Sequence, residues 1–112
     1  MKAHTMVDAG VCGFKTKITA VSKDGRSVEL RMGSNCETIK ALGRTLCSKN
    51  PFDALLELMP TSESVVLATC RPVLQKKGGC EACVIPAAVC KTLQVAAGLA
   101  LPRDVSIKMS KD

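Results

Sequence analysis

The sequence has no tryptophan, no tyrosine and only two phenylalanines among its 112 residues. An aromatic core is therefore excluded, and so is a platform of rings on which nucleobases could stack. The core has to be aliphatic, built from Val, Ile, Leu, Ala and Met, with Cys as a further small apolar residue. Apolar residues make up 46% of the chain, enough for one core, but each buries less area than an aromatic would. Histidine occurs once, as His4 inside a strand-like stretch, which argues against a ligand role. The five methionines are too scattered for a copper-binding box. No segment approaches the ~20 consecutive apolar residues that cross a bilayer. Met1–Asp8 carries no apolar run of signal-peptide length. A cytoplasmic protein without a membrane partner is expected. Phosphate loops, catalytic triads and paired carboxylates are also missing, so binding is expected rather than catalysis.

The formal charge is +6, but the basic residues are spread from Lys2 to Lys111, and Lys76-Lys77 is the only adjacent pair. Without interleaved aromatics this describes a solvated basic surface and argues against nucleic acid. The expected partner is a protein of unspecified identity. At this length the chain is one domain, residues 1–112. What it has in excess is cysteine. Seven thiols in a reducing compartment point to metal or redox chemistry, and their odd number argues against full pairing into disulfides.

The pattern predicts an α+β fold. Residues 3–7 read as extended. Residues 14–21 alternate, with Phe14, Ile18 and Ala20 on one face and Lys15 and Lys17 on the other. Asp24-Gly25 predicts a tight hairpin turn, and residues 27–32 alternate again through Val28, Leu30 and Met32. Together these form a three-stranded antiparallel meander. Ser34 and Glu37 are spaced as a capping box, before a helix whose inner stripe is Ile39, Leu42 and Leu46. Asn50-Pro51 predicts a short helix with Phe52, Leu55, Leu56 and Met59 inward, ended by Pro60. Residues 64–70 fit a strand or a buried helix. Lys76 to Gly79 reads as a loop. A helix from Pro86 carries Val89, Leu93 and Ala97 inward, with Gly98 as its C-terminal cap. Beyond Pro102, the alternation at Val105-Ser106-Ile107 predicts a closing strand, 104–109, parallel to strands one and three.

Connectivity sorts the cysteines. In an up-down-up meander, the loop holding Cys12 and the strand end at Cys36 lie at the same pole of the sheet. Cys80-x-x-Cys83 is spaced so that two sulfurs can face one ion, just before a helix start whose N–H groups and dipole lower thiol pKa values. With the closing strand parallel, Cys80 and Cys83 join Cys12 and Cys36, and four sulfurs converge. Cys47 shares a helix face with Cys36, but eleven residues amount to ~16 Å of rise, too far for a common ion. Cys90 reads as a packing residue, and Cys70, before Arg71-Pro72, as a core or surface thiol with no obvious partner.

Val11-Cys12-Gly13-Phe14, Ser34-Asn35-Cys36 and Cys83-Val84-Ile85-Pro86, leading to Ala96-Ala97-Gly98-Leu99-Ala100-Leu101-Pro102, resemble an uncharacterised family of small cysteine-bearing proteins from anaerobic prokaryotes. The resemblance spans essentially the whole chain and implies an anaerobe's cytoplasm, with no activity attached. Cys83-x-x-Pro86-x-x-x-x-Lys91 is similar to the helix-start motif of TusA-like sulfur carriers, which implies a persulfide on Cys83. The Cys-x-x-Cys, helix, strand ending is similar to NifU-type iron–sulfur scaffolds. The expectation is a metal-binding protein in which Cys12, Cys36, Cys80 and Cys83 hold zinc or an iron–sulfur cluster. A thiol or persulfide carrier using Cys83, with Cys80 resolving, and a metal-free interaction module are the alternatives.

Overall fold

The computed structural model describes residues 1–59, 63–76, 78–80 and 82–112. Strands β1 (Lys2–Asp8), β2 (Lys15–Ser22) and β3 (Ser27–Ser34) form the expected antiparallel meander. Lys2 pairs with Val21 and Asp8 with Lys15, while Thr16 pairs with Ser34 and Ser22 with Val28. Period-two alternation sets which face is buried. Thr16, Ile18, Ala20 and Ser22 of β2, with Val28 and Leu30 of β3, are buried under the helices, while Lys15, Lys17, Glu29 and Arg31 face solvent. Phe14 lies just outside β2 and is half-exposed, so the inward series starts at Thr16 instead. At the β2–β3 turn, Gly25 takes a φ of 78° that a side chain would resist. Asp24 Oδ1 accepts from Arg26 N and Ser27 N at 2.9 and 2.8 Å, and those bonds hold its carboxyl below the usual range.

Helix α1 (Glu37–Cys47) lies on β3 with Ile39, Leu42 and Leu46 buried. Gly43 permits the contact, because a Cβ there would stand 3.2 Å from Met32 Cβ. The expected capping box does not form. Cys36 is the N-cap, with no side-chain cap bond, and Ser34 Oγ accepts instead from Cys36 N at 3.1 Å. Ser34 is committed to the end of β3, two residues too early to cap.

The second correction follows α1. In place of a helix opening at Pro51, Phe52–Asp53 forms a fourth strand, β4, antiparallel to β3. Asn50 draws the chain there: its Oδ1 accepts from Leu30 N and its Nδ2 donates to Leu30 O, both at 2.9 Å, as a neighbouring strand would. Asp53 then caps the five-residue helix α2 (Ala54–Leu58), accepting from Leu55 N and Leu56 N at 3.0 and 3.3 Å. Starting later turns the helix over. Ala54 and Glu57 are buried, while Leu55, Leu56 and Met59 are substantially exposed. Pro60, the expected stop, lies outside the described residues.

Residues 65–76 resolve the strand-or-helix alternative as helix α3 (Val65–Lys76), with Val66, Cys70 and Leu74 on its inward stripe. The helix reaches Lys76, further than the loop reading allowed, and Lys77 is outside the described residues. Helix α4 (Ile85–Ala96) carries Pro86 in its first turn and buries Val89 and Leu93, with Ala97 buried just beyond it. It ends as a Schellman motif, Leu99 N bonding Gln94 O and Gly98 N bonding Val95 O, both at 3.0 Å. Helix α1 lies on β3 and α4 over β1 and β2, and α3 packs against both helices. Apart from Phe52, the core is aliphatic, as composition led one to expect. Ile18, Leu30, Leu42, Leu46 and Leu93 are fully buried, each contributing roughly 1.5–3 kcal/mol.

The closing strand is the third correction. The described residues hold one four-stranded sheet, ordered β1-β2-β3-β4 with every pairing antiparallel. Residues 101–112 have no regular structure, and every one of them is exposed. Alternation alone cannot supply a pairing partner for this segment.

Candidate metal centre

Three elements bring cysteines to the pole opposite the Asp24–Gly25 turn. The β1–β2 connection forms a 3-10 turn, Gly10–Cys12, placing Cys12 at its exposed end. Gly13 N closes it onto Gly10 O at 2.9 Å, and Asp8 Oδ1 accepts from Gly10 N at 3.3 Å. Asp8 thus serves the turn. Asn35 links this region to the end of β3, its Oδ1 accepting from Lys15 N at 2.9 Å and its N–H bonding Lys15 O at 3.3 Å. Half-exposed Cys36 follows directly, in extended conformation at the start of α1.

Cys80 and Cys83 precede α4. Cys83 N bonds Cys80 O at 3.1 Å, which turns the backbone just before the helix. Each sulfur then accepts from an N–H two residues on: Cys80 Sγ from Ala82 N at 3.3 Å, and Cys83 from Ile85 N. Such N–H···S bonds favour a thiolate over a thiol. Glu81, between them, lies outside the described residues. The direction of α4 fits this pole. Its C-terminal end lies at the far turn, where a Cβ on Gly25 would stand 3.5 Å from Ala97 O. Cys83 is the hub. Burial pushes its thiol above the ordinary value against the Ile85 bond, and the neighbouring Cys36, Cys12 and Cys80 push it further. The helix-start environment therefore does not lower this pKa as the sequence suggested, because desolvation of the half-buried sulfur outweighs one backbone N–H.

A sixth and a fifth thiol lie deeper. Cys70, 2% exposed, and Cys83 and Cys80 line one cavity of about 180 Å³ between α3 and α4, closed by Leu67, Leu74 and Pro86. Cys70 is pushed up to about 12 by burial first, then by Cys90 and Cys83. Cys90 of α4 rises to about 11, through burial and the charge of Glu57. Of the core and surface alternatives, the structure makes Cys70 a core thiol, with neighbours that the sequence did not show. The i, i+4, i+8 stripe Val66-Cys70-Leu74 was the available signal, obscured while the segment could also be a strand. Cys47 stands apart at the other end of α1, its Sγ donating to Leu30 O at 3.3 Å. His4 meets Thr19 Oγ1 at 3.3 Å on the solvent face of the sheet.

The donor chemistry, soft sulfur, suits a thiophilic ion. Among the described residues, no group of three or more Cys, His, Asp or Glu side chains is drawn tightly enough to hold a metal ion as it stands. The sulfurs are neighbours, not yet at ligand spacing. Also among the described residues, no helix is long and apolar enough to cross a membrane.

Compared with known proteins, residues 3–109 match a family described as a Family of unknown function (DUF6951). No curated protein matches the chain, and no solved structure does.

Proposed function

We propose, for a chain that belongs to the DUF6951 family and takes no activity from it, that it is a metal or iron–sulfur binding protein. Cys12, Cys36, Cys80 and Cys83 are the ligands, and zinc or an iron–sulfur cluster is the occupant. The observation that carries this reading is Cys83, a half-buried sulfur with Cys36, Cys12 and Cys80 close enough to act on it. The N–H···S bonds at Cys80 and Cys83 support it, since a donor already faces each sulfur of the Cys-x-x-Cys, although at Cys83 burial outweighs that bond.

Occupation requires the pole to close by a small movement. The Gly10–Cys12 turn has no buried residue and Cys80 is exposed, so closure moves surface loops and leaves the core unchanged. Ordering a loop residue costs about 1–2 kcal/mol, whereas a structural thiolate site contributes about 10–16 kcal/mol of apparent binding energy at neutral pH. Binding wins if only a few residues move. An oxygen-free cytoplasm, implied by the resemblance to proteins of anaerobes, would keep the thiols reduced for this purpose.

The test is metal analysis and colour of protein purified without oxygen, alongside Cys12→Ser and Cys36→Ser. Iron with brown colour or stoichiometric colourless zinc, lost in both variants, is expected. Metal removal should also lower the melting temperature, and acid should release the ion as protons compete for sulfur. Protein free of metal, with melting unchanged by added zinc or by cluster reconstitution, would reject the reading and favour a sulfur carrier using Cys83. Persulfide detected on Cys83 by mass spectrometry would then identify that second function.

A further inference from the structure

We propose that residues Asp104–Met109 form an added strand on the sheet of a second copy of this chain, parallel to β1 at its open edge, in a reciprocal exchange. The segment alternates as a strand does, and among the described residues no strand of its own molecule pairs with it. Val105, Ile107 and Met109 are 65%, 65% and 89% exposed, with Ser106 and Lys108 between them. Such alternation, standing in solvent, is a strand without a sheet. The family match runs through it to residue 109, so it belongs to the domain and is not an appendage.

Of the two sheet edges, β1 is the more open among the described residues. The far edge is covered at Ser27–Val28 by β4 and at Leu30 by the Asn50 amide, which takes both backbone groups. β1 offers seven residues whose outer side is unpaired, an edge that proteins normally cover or blunt. Ala3, Thr5 and Val7 point toward α4, and Thr92 Oγ1 donates to Thr5 Oγ1 at 2.6 Å. Ala88 and Val95, one turn either side of Thr92 on α4, remain only partly buried.

Charge selects the direction. In a parallel register with Ile107 beside Thr5, Asp104 meets Lys2, while Lys108 lies beside Met6 and diagonal to Asp8. The antiparallel register with the same inward residues sets Asp104 against Asp8, a like-charge contact that destabilises. The parallel direction also suits the root of the tail, because α4 ends beside the start of β1, where a Cβ on Gly98 would lie 3.3 Å from the Met1 methyl. In the structure the segment does not lie on its own β1 edge, which leaves the equivalent edge of a second copy to take it. Exchange of an identical element is a low-cost route to a two-fold dimer.

Light scattering of the full chain, kept reduced and with chelator, tests this across a dilution series into the high micromolar range. A dimer is expected that Ile107→Asp converts to monomer, with amide exchange at 105–109 slowed only in the dimer. Asp104→Lys should weaken dimerisation about 2–5-fold per pair, and Lys2→Asp in the same chain should restore it. Circular dichroism separates loss of pairing from loss of fold. A chain that is monomeric throughout overturns the proposal, as does a dimer indifferent to Ile107→Asp. A monomer with protected tail amides would mean that the strand closes on its own sheet, and would equally overturn it.

Discussion

Replacing Glu57 by Ala should destabilise the protein more than any other change to a single polar side chain described above. Glu57 is 6% exposed, and its carboxylate caps the start of α3 from the neighbouring helix α2. Oε2 accepts from Ser64 Oγ at 2.6 Å and from Val66 N at 2.9 Å, and Oε1 accepts from Val65 N at 3.1 Å. Val65 is 44% exposed, so water can take over its N–H once the carboxylate is gone. Ser64 and Val66 are 9% and 0% exposed, and their donors would be left buried and unpaired. At about 1–3 kcal/mol each, two orphaned donors give a cost centred near 4 kcal/mol. That is a large part of an ordinary domain's stability. Glu57→Gln keeps an oxygen where Oε2 lies and turns its amide toward the exposed Val65 N–H, so about 1 kcal/mol is expected. Urea titration of the reduced, metal-free protein, followed by far-ultraviolet circular dichroism because there is no Trp or Tyr, measures both. The reasoning fails if Glu57→Ala costs under 1 kcal/mol, or if Gln is as damaging as Ala.

Asn50→Ala strips the partner from the buried Leu30 N–H and leaves its carbonyl only the weak Cys47 thiol donor, and should cost about 2 kcal/mol in the same titration. A cost below 1 kcal/mol would show that β4 does not depend on this side chain. The metal-free protein should lose stability as pH rises from about 9 toward 11–12. Cys70 and Cys90 keep their protons when folded, to about 12 and about 11, but release them near the ordinary value of 9.0 when unfolded. The urea midpoint should therefore fall above pH 9, less steeply in Cys70→Ala, and a flat profile would contradict the burial of both thiols. Cys47→Ala should leave metal stoichiometry unchanged, because this thiol bonds Leu30 O at the far end of α1. Loss of metal in that variant, with its fold intact, would mean that the ligand set is wrong.

Local periodicity was enough to find the meander, the Asp24-Gly25 turn, the Ile39-Leu42-Leu46 stripe and the C-terminal stop of α4. Each depends on neighbours a few residues away in sequence, and so does the prediction that Cys12 and Cys36 share a pole, because hairpins force alternate strand ends together. The aliphatic core followed from composition alone. Tertiary structure decided the remainder, where distant groups compete for the same backbone. Asn50 reaches back twenty residues to Leu30 and makes a strand where Pro51 suggested a helix. Glu57, which would ordinarily face water, is buried because three donors at the start of α3 need an acceptor. Cys70 becomes a neighbour of Cys83 only because α3 packs on α4. The tail shows the division most clearly: its alternation marks Val105–Met109 as a strand, but a strand exists only when another backbone accepts its hydrogen bonds, and that edge is set by packing, not by the residues of the tail.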